Sequence, residues 1–383
     1  MTVSPFKDGI DAIKEAGGAT SSLCFQCGLC NTACPWNTVT NFRVRRSVRQ
    51  AQFGLAEVEG EEAWRCTTCG NCVQRCPRGV EIIDIQTSLR RIASTWDILP
   101  KAVRGPKASL GASGNPLGEE RQERADWAQD LSLNTFTEKA EVLYFPCCYL
   151  CYDSRLKNVA IATANILKKA KVDFGILGAE ESCCGESIRK TGAEELYKRL
   201  AKENIKTFVD RGVKKILVSS PHCYQAFKND YAEFQVNFEV VHMSQFLPQL
   251  IKEGKIELKK EYKKRVIYHD PCYLGRHNKI YDEPRQVLKK IPGLDLVEFA
   301  DSRENSVCCG GGGGRIWMET PKQERFSDLK LRQAVEAGAN VLATFCPYCI
   351  LNFEASRLGL EDSEIIEIKD VTEVIQEATE QEG

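Results

Sequence analysis

Histidine is nearly missing from this 383-residue chain, which holds 4. That scarcity weighs against zinc sites of the mixed cysteine–histidine kind. No apolar run approaches the ~20 residues of a membrane-spanning helix. The polar start from Met1 to Asp8 does not read as a signal peptide, so the expected location is cytoplasmic. An excess of either charge is also lacking: Lys and Arg total 52 against 53 Asp and Glu. This balance argues against nucleic acid or an anionic membrane as the main partner. A G-x-G-x-x-G fingerprint after a strand is absent, and with it any sign of a flavin or nicotinamide site. With 43% hydrophobic and 27% charged residues the chain is not disordered, and its length suggests two or three domains.

Cysteine is what the chain has in excess, with 19 copies. Their odd number and the reducing compartment argue against disulfides. They fall into four dense groups, and iron–sulfur clusters, whose irons are held by runs of thiolates, fit such groups. The first two groups are Cys24-x2-Cys27-x2-Cys30-x3-Cys34-Pro35 and Cys66-x2-Cys69-x2-Cys72-x3-Cys76-Pro77. In such runs the fourth cysteine serves the other cluster. Cys24, Cys27, Cys30 and Cys76 are therefore expected to hold one [4Fe–4S] cubane, and Cys66, Cys69, Cys72 and Cys34 the second. Between the runs, Phe42, Val44, Val48 and Phe53 have helical spacing. Arg43, Arg45, Arg46 and Arg49 crowd this helix, as a solvated face or as a dock for an acidic partner.

The fold class expected is an α+β multidomain chain: a helical ferredoxin-like domain over 1–97, a linker over 98–139, and two related α/β domains over 140–255 and 256–383. Gly105-Pro106, Gly111 and Pro116 punctuate the linker, and Trp127 is expected to pin it to a domain surface. Beyond it, strands are predicted at Val142–Phe145, Val172–Leu177, Lys215–Ser219, Phe238–Val241, Val266–His269, Leu294–Phe299, Val341–Thr344 and Ile365–Ile368. Amphipathic helices alternate with them, which favours parallel sheets.

The same plan occurs twice. Cys272 is followed by Cys308-Cys309-Gly310 and then by Cys346-Pro347-Tyr348-Cys349. Earlier, Cys148 is followed by Cys183-Cys184-Gly185 and then by Ser220-Pro221-His222-Cys223. With Tyr268–Gly275, Ser306–Gly314, Asp173–Gly178 and Ser182–Glu186, these strings resemble the cysteine-rich domains of heterodisulfide reductase. The chain as a whole is similar to the fused D-type subunit, a group that includes a subunit of class II benzoyl-CoA reductase complexes. The resemblance implies a non-cubane [4Fe–4S] cluster on Cys272, Cys308, Cys309, Cys346 and Cys349.

Gly310, Gly311 and Gly312 would let the backbone approach that cluster and aim N–H groups at its sulfurs. The first repeat departs from the pattern at Ser220, but Cys147 and Cys151 bring its thiols to six, with Cys148, Cys183, Cys184 and Cys223. A further iron–sulfur cluster, a structural zinc and a bare reduced site remain open there. Catalytic residues stay unassigned, with His269, Asp270 and His277 as candidates beside turn-fastening roles. Serial clusters describe a wire. The expected function is an electron-transfer subunit of an anaerobic redox complex, fed by a flavoprotein, ferredoxin-like or metalloenzyme partner and reaching a membrane only through one. The alternative is a catalytic disulfide reductase.

Overall fold

The computed structural model describes residues 4–55, 62–359 and 366–379. Its N-terminal part is built of short helices, among them Leu29–Ala33, Val44–Phe53, Asn71–Gln74 and Ile82–Thr95. The helical spacing between the cysteine runs has its effect: Val44, Val48 and Ala51 are buried on one face, while Arg43, Arg45, Arg46 and Arg49 are exposed.

The stretch 98–139 is more regular than its glycines and prolines suggest. A helix runs Lys101–Ser113 straight through Gly105-Pro106. Pro106 removes one helical donor, and buried Val103 and Leu110 hold the helix on either side of it. Trp127 is buried edge-on to Tyr144, with ring centroids 6.0 Å apart, and so fastens this stretch to the first sheet.

Two all-parallel, four-stranded sheets follow. The first comprises β1 (Val142–Phe145), β2 (Phe174–Gly175), β3 (Lys215–Val218) and β4 (Glu239–His242), in the order β2-β1-β3-β4. The second repeats it as β6-β5-β7-β8, with β5 (Arg265–Tyr268), β6 (Asp295–Glu298), β7 (Val341–Thr344) and β8 (Glu367–Asp370). β1 and β7 are buried at every position, as central strands with helices on both faces must be. The predicted strands are found, several displaced by a residue; Ile365 lies outside the described residues. β2 is much shorter than predicted. Its continuation at Ile176 leaves β1 to exchange hydrogen bonds with Asn134 and Phe136.

In each sheet the strand order reverses between β1 and β3, or between β5 and β7. The crevice at the carboxyl ends of such a strand pair is where doubly wound folds place their sites. Cys147 and Cys148 follow β1 and Ser220 follows β3; Cys272 follows β5 and Cys346 follows β7. The halves also interlock. Helix Met243–Lys252 of the first packs on Asp282–Leu288 of the second, and Val371–Ala378 packs back on Lys157–Lys169. His242 and Asp370 start these exchanged helices with equivalent capping boxes.

Candidate metal centres

Cys24, Cys27, Cys30 and Cys76 line one small cavity, closed by Pro77, Val80 and Ile82. The fourth cysteine of the first run lies elsewhere: the Cys34 thiol faces Cys69 and Cys66, and Cys72 faces Cys66, Cys69 and Cys34. Both C-x2-C loops share an uncommon backbone. Gln26 and Thr68 have φ of 65° and 51°, and Gly28 and Gly70 follow in the same left-handed region. This curl turns the Gln26 and Thr68 N–H groups onto the Cys24 and Cys66 sulfurs, each at 3.4 Å. Burial, then the neighbouring Cys24 and Cys27, pushes the Cys30 thiol up to about 11. Cys34 and Cys72 are pushed up as well, first by burial and then by surrounding thiols. Thiolates so crowded repel one another unless metal shares their charge.

In the second half all five cysteines are buried. Cys272 lies 3.9 Å from Cys308, and Cys349 lies 3.3 Å from Cys309. Gly310 N–H donates to the Cys308 sulfur at 3.3 Å, and Gly311 N–H reaches Cys309. Gly312 meets the ferredoxin-like part instead: a Cβ there would stand 2.3 Å from the Thr67 carbonyl. The two parts therefore meet through their cysteine loops, with Cys308 against Cys69. Arg276 lies beside Cys69, Cys272 and Cys308, and donates to the Cys69 carbonyl at 2.7 Å. Arg90, fully buried, donates to the carbonyls of Ala63, Cys66, Lys190 and Gly313, and so ties both halves to the N-terminal part.

The first half holds its thiols in a row. Cys148 meets Cys183, Cys183 meets Cys184, Cys184 meets Cys223, and Cys223 meets Cys147. Cys151 stands to one side, near Arg124 and Glu181. That arginine and glutamate form a buried ion pair at 3.0 Å, and the guanidinium also donates to the Cys148 sulfur at 3.3 Å. Burial, opposed by Arg124, pushes the Glu181 carboxyl up to about 7.

The three candidate catalytic side chains sit deep. His269 is buried among Phe299 and Phe353, and neither ring nitrogen has a partner among the described residues. Asp270 accepts two bonds from Arg285, at 2.7 and 2.8 Å, and a third from the Arg303 N–H. His277 stacks on Tyr273 and bonds the Thr68 carbonyl at 2.8 Å.

Sequence reasoning missed Glu186, which pairs with His222 at 2.8 Å inside the protein. Against the cost of burial, His222 holds the Glu186 carboxyl down to about 2, while Glu186 and then Cys346 hold the imidazole up at about 10. Asn352, whose side chain bonds the Cys309 carbonyl at 3.2 Å, was missed too. Their partners lie far away in sequence, so no local spacing marks them. The donor sets suit iron–sulfur clusters: buried thiols in groups, N–H groups aimed at sulfur, and arginines beside them.

Comparison with known proteins agrees. Residues 142–228 and 266–354 match the cysteine-rich domain, and residues 20–80 match a 4Fe-4S dicluster domain. The D-type subunit of the dihydromethanophenazine:CoB–CoM heterodisulfide reductase from Methanosarcina mazei is 35% identical over 322 residues, covering 82% of this chain and 77% of that one. A probable iron–sulfur-binding oxidoreductase from Bacillus subtilis is 37% identical over 82% of this chain, and the EtfAB:quinone oxidoreductase of Syntrophomonas wolfei 35% identical over 85%. This chain spans about half the length of the last two, 46% and 48%. An iron–sulfur oxidoreductase chain is the class these sites define. It belongs to the family of the D-type subunits of heterodisulfide reductase. Among the described residues no helix is long and apolar enough to cross a membrane.

Proposed function

We propose that this chain is the electron-transferring subunit of a cytoplasmic, anaerobic redox complex. Two cubanes, one on Cys24, Cys27, Cys30 and Cys76 and the other on Cys34, Cys66, Cys69 and Cys72, lead to a non-cubane cluster on Cys272, Cys308, Cys309, Cys346 and Cys349. The clusters supply one-electron carriers. The protein's part is to hold them in a short series and keep water from the inner ones. The contact between Cys69 and Cys308 carries this reading, because it joins ligand loops of neighbouring sites with no intervening layer. Arg276, wedged between the two groups, offsets their negative charge. Relatives named for electron-transfer flavoprotein and for heterodisulfide point to a flavoprotein or another metalloenzyme as the partner. The test is anaerobic native purification followed by photoreduction. A redox partner in fixed stoichiometry, with electrons reaching the second-half cluster only while Cys66 is intact, supports the relay. Reduction of that cluster at the native rate in Cys66→Ala sinks it.

One observation favours a second, compatible reading. A cavity of about 140 Å³ has Cys309, Asn352, Arg315 and Arg325 in its walls. A disulfide reduced there would take two electrons and two protons and leave two thiols. Turnover of disulfides with reduced viologen would establish this role, and its absence across a panel of thiol disulfides would remove it.

A further inference from the structure

The turn after β3 reads Ser220-Pro221-His222-Cys223, one thiol short of Cys346-Pro347-Tyr348-Cys349 after β7. Ser220 is fully buried, and its hydroxyl has no partner among the described residues. Leaving such a group unsatisfied costs about 1–3 kcal/mol, so a native chain is expected to face it with something. In the second half, the same place in the turn is filled by a sulfur.

The thiol missing at this turn is provided from across the crevice. Cys147 directly follows β1 and caps the short helix Cys148–Tyr152. Its side chain meets Cys223 just as Cys346 meets Cys349. The other contacts repeat in order: Cys148 with Cys183 as Cys272 with Cys308, and Cys184 with Cys223 as Cys309 with Cys349. Gly185 N–H donates to the Cys183 sulfur at 3.5 Å, matching Gly310 on Cys308 at 3.3 Å.

We infer that Cys147, Cys148, Cys183, Cys184 and Cys223 form a complete five-thiolate site in the first half, in which Cys147 replaces the cysteine absent at Ser220 and the whole holds a [4Fe–4S] cluster. The inference rests on the cluster proposed for the second half. A single zinc fits less well, since the thiols form a row; among the described residues no three Cys, His, Asp or Glu side chains converge on one point that would hold one metal ion. Cys151, the sixth thiol, stays outside the site. The Ser220 hydroxyl donates to a cluster sulfur, and Arg124, bonded to the Cys148 sulfur, balances charge from the opposite side.

Iron analysis and electron paramagnetic resonance of the anaerobically purified full chain test this. Cys147→Ser should lose about four irons and one cluster signal, with the other signals unchanged. Cys151→Ser should keep the full iron content. The double variant Cys147→Ser/Ser220→Cys should regain the lost iron, because it returns the thiol to the turn after β3. Full iron in Cys147→Ser overturns the inference, as does stoichiometric zinc in the native chain or a folded double variant that stays depleted. Cys272→Ser alters only the second half. If that variant loses no iron, the cluster reading of the second half fails instead, and the two failures are told apart.

Discussion

His222 and Tyr348 occupy the same place in the two halves, one residue before Cys223 and Cys349, and their rings lie 4.5 Å apart. Each also meets a tyrosine from the opposite half: His222 with Tyr273 at 4.2 Å, and Tyr348 with Tyr149 at 5.2 Å. These reciprocal contacts place an approximate two-fold relation between the two cysteine-rich sites. Only one arm carries charge, since His222 pairs with Glu186 while Tyr348 bonds Ser187 at 3.0 Å.

His222→Phe should therefore leave the Glu186 carboxylate buried and unpaired, at a cost of about 3–5 kcal/mol. The double variant His222→Phe/Glu186→Leu should recover most of that loss. Urea unfolding of the three proteins checks it, and a double variant no more stable than the single one would refute the pairing.

Arg90 answers four carbonyls from three parts of the chain. Arg90→Met keeps much of the bulk and removes every donor. A hydrogen bond to a charged group contributes about 1.5–3 kcal/mol, so the loss should exceed about 3 kcal/mol. It should also expose the Cys66 loop, seen as faster loss of iron to a chelator. Unchanged chelation kinetics would show that the loop holds without this tie.

Two glycines should respond in opposite directions. Gly312→Ala places a methyl 2.3 Å from the Thr67 carbonyl, which forces the N-terminal part away from the second half and slows electron passage between them. Gly105 lies in the helix Lys101–Ser113 with nothing within 4 Å of an added methyl. Gly105→Ala should stabilise the protein by up to about 1 kcal/mol and leave reduction kinetics alone. Stopped-flow reduction and thermal melts of the pair decide both claims.

His242 gives the fold a pH dependence of known sign. Its Nε2–H donates to the Ser219 carbonyl at 3.2 Å, and Nδ1 accepts the Ser244 N–H at 3.1 Å. Burial holds its pKa down to about 3. The unfolded chain titrates near ~6.5, so below that pH it binds the proton that the folded state refuses. Stability is then full above pH ~6.5 and falls toward pH ~3 by up to about 1.4 kcal/mol per unit. His242→Asn keeps a capping acceptor and should flatten this slope between about pH 6.5 and 5. Parallel slopes in the two proteins would assign the effect elsewhere.

The cysteine runs were legible because their information is local. The x2 spacing and the following proline decide how each loop curls, and the crossed placement of Cys34 and Cys76 follows from that spacing. The alternation of strands and helices was legible for the same reason. What could not be read was whatever depends on two distant segments meeting. Six thiols were visible in the first repeat, but nothing in the string says that Cys147 reaches Cys223 while Cys151 does not. Glu186, Arg124 and Arg276 look like surface charges until the packing closes over them. The short β2 is a similar case, since Asn134 and Phe136 compete for its hydrogen bonds from outside the repeat.

The exchanged end helices bear on how such a chain can change. Two identical copies joined around a two-fold axis are bound to carry identical sites, because every substitution appears twice. Here the helix Val371–Ala378 closes over the first half and Met243–Lys252 over the second, so the arrangement is that of a symmetric pair drawn on one continuous thread. Each half is free to keep its own residue at the shared position, and Ser220 opposite Cys346 is that freedom in use.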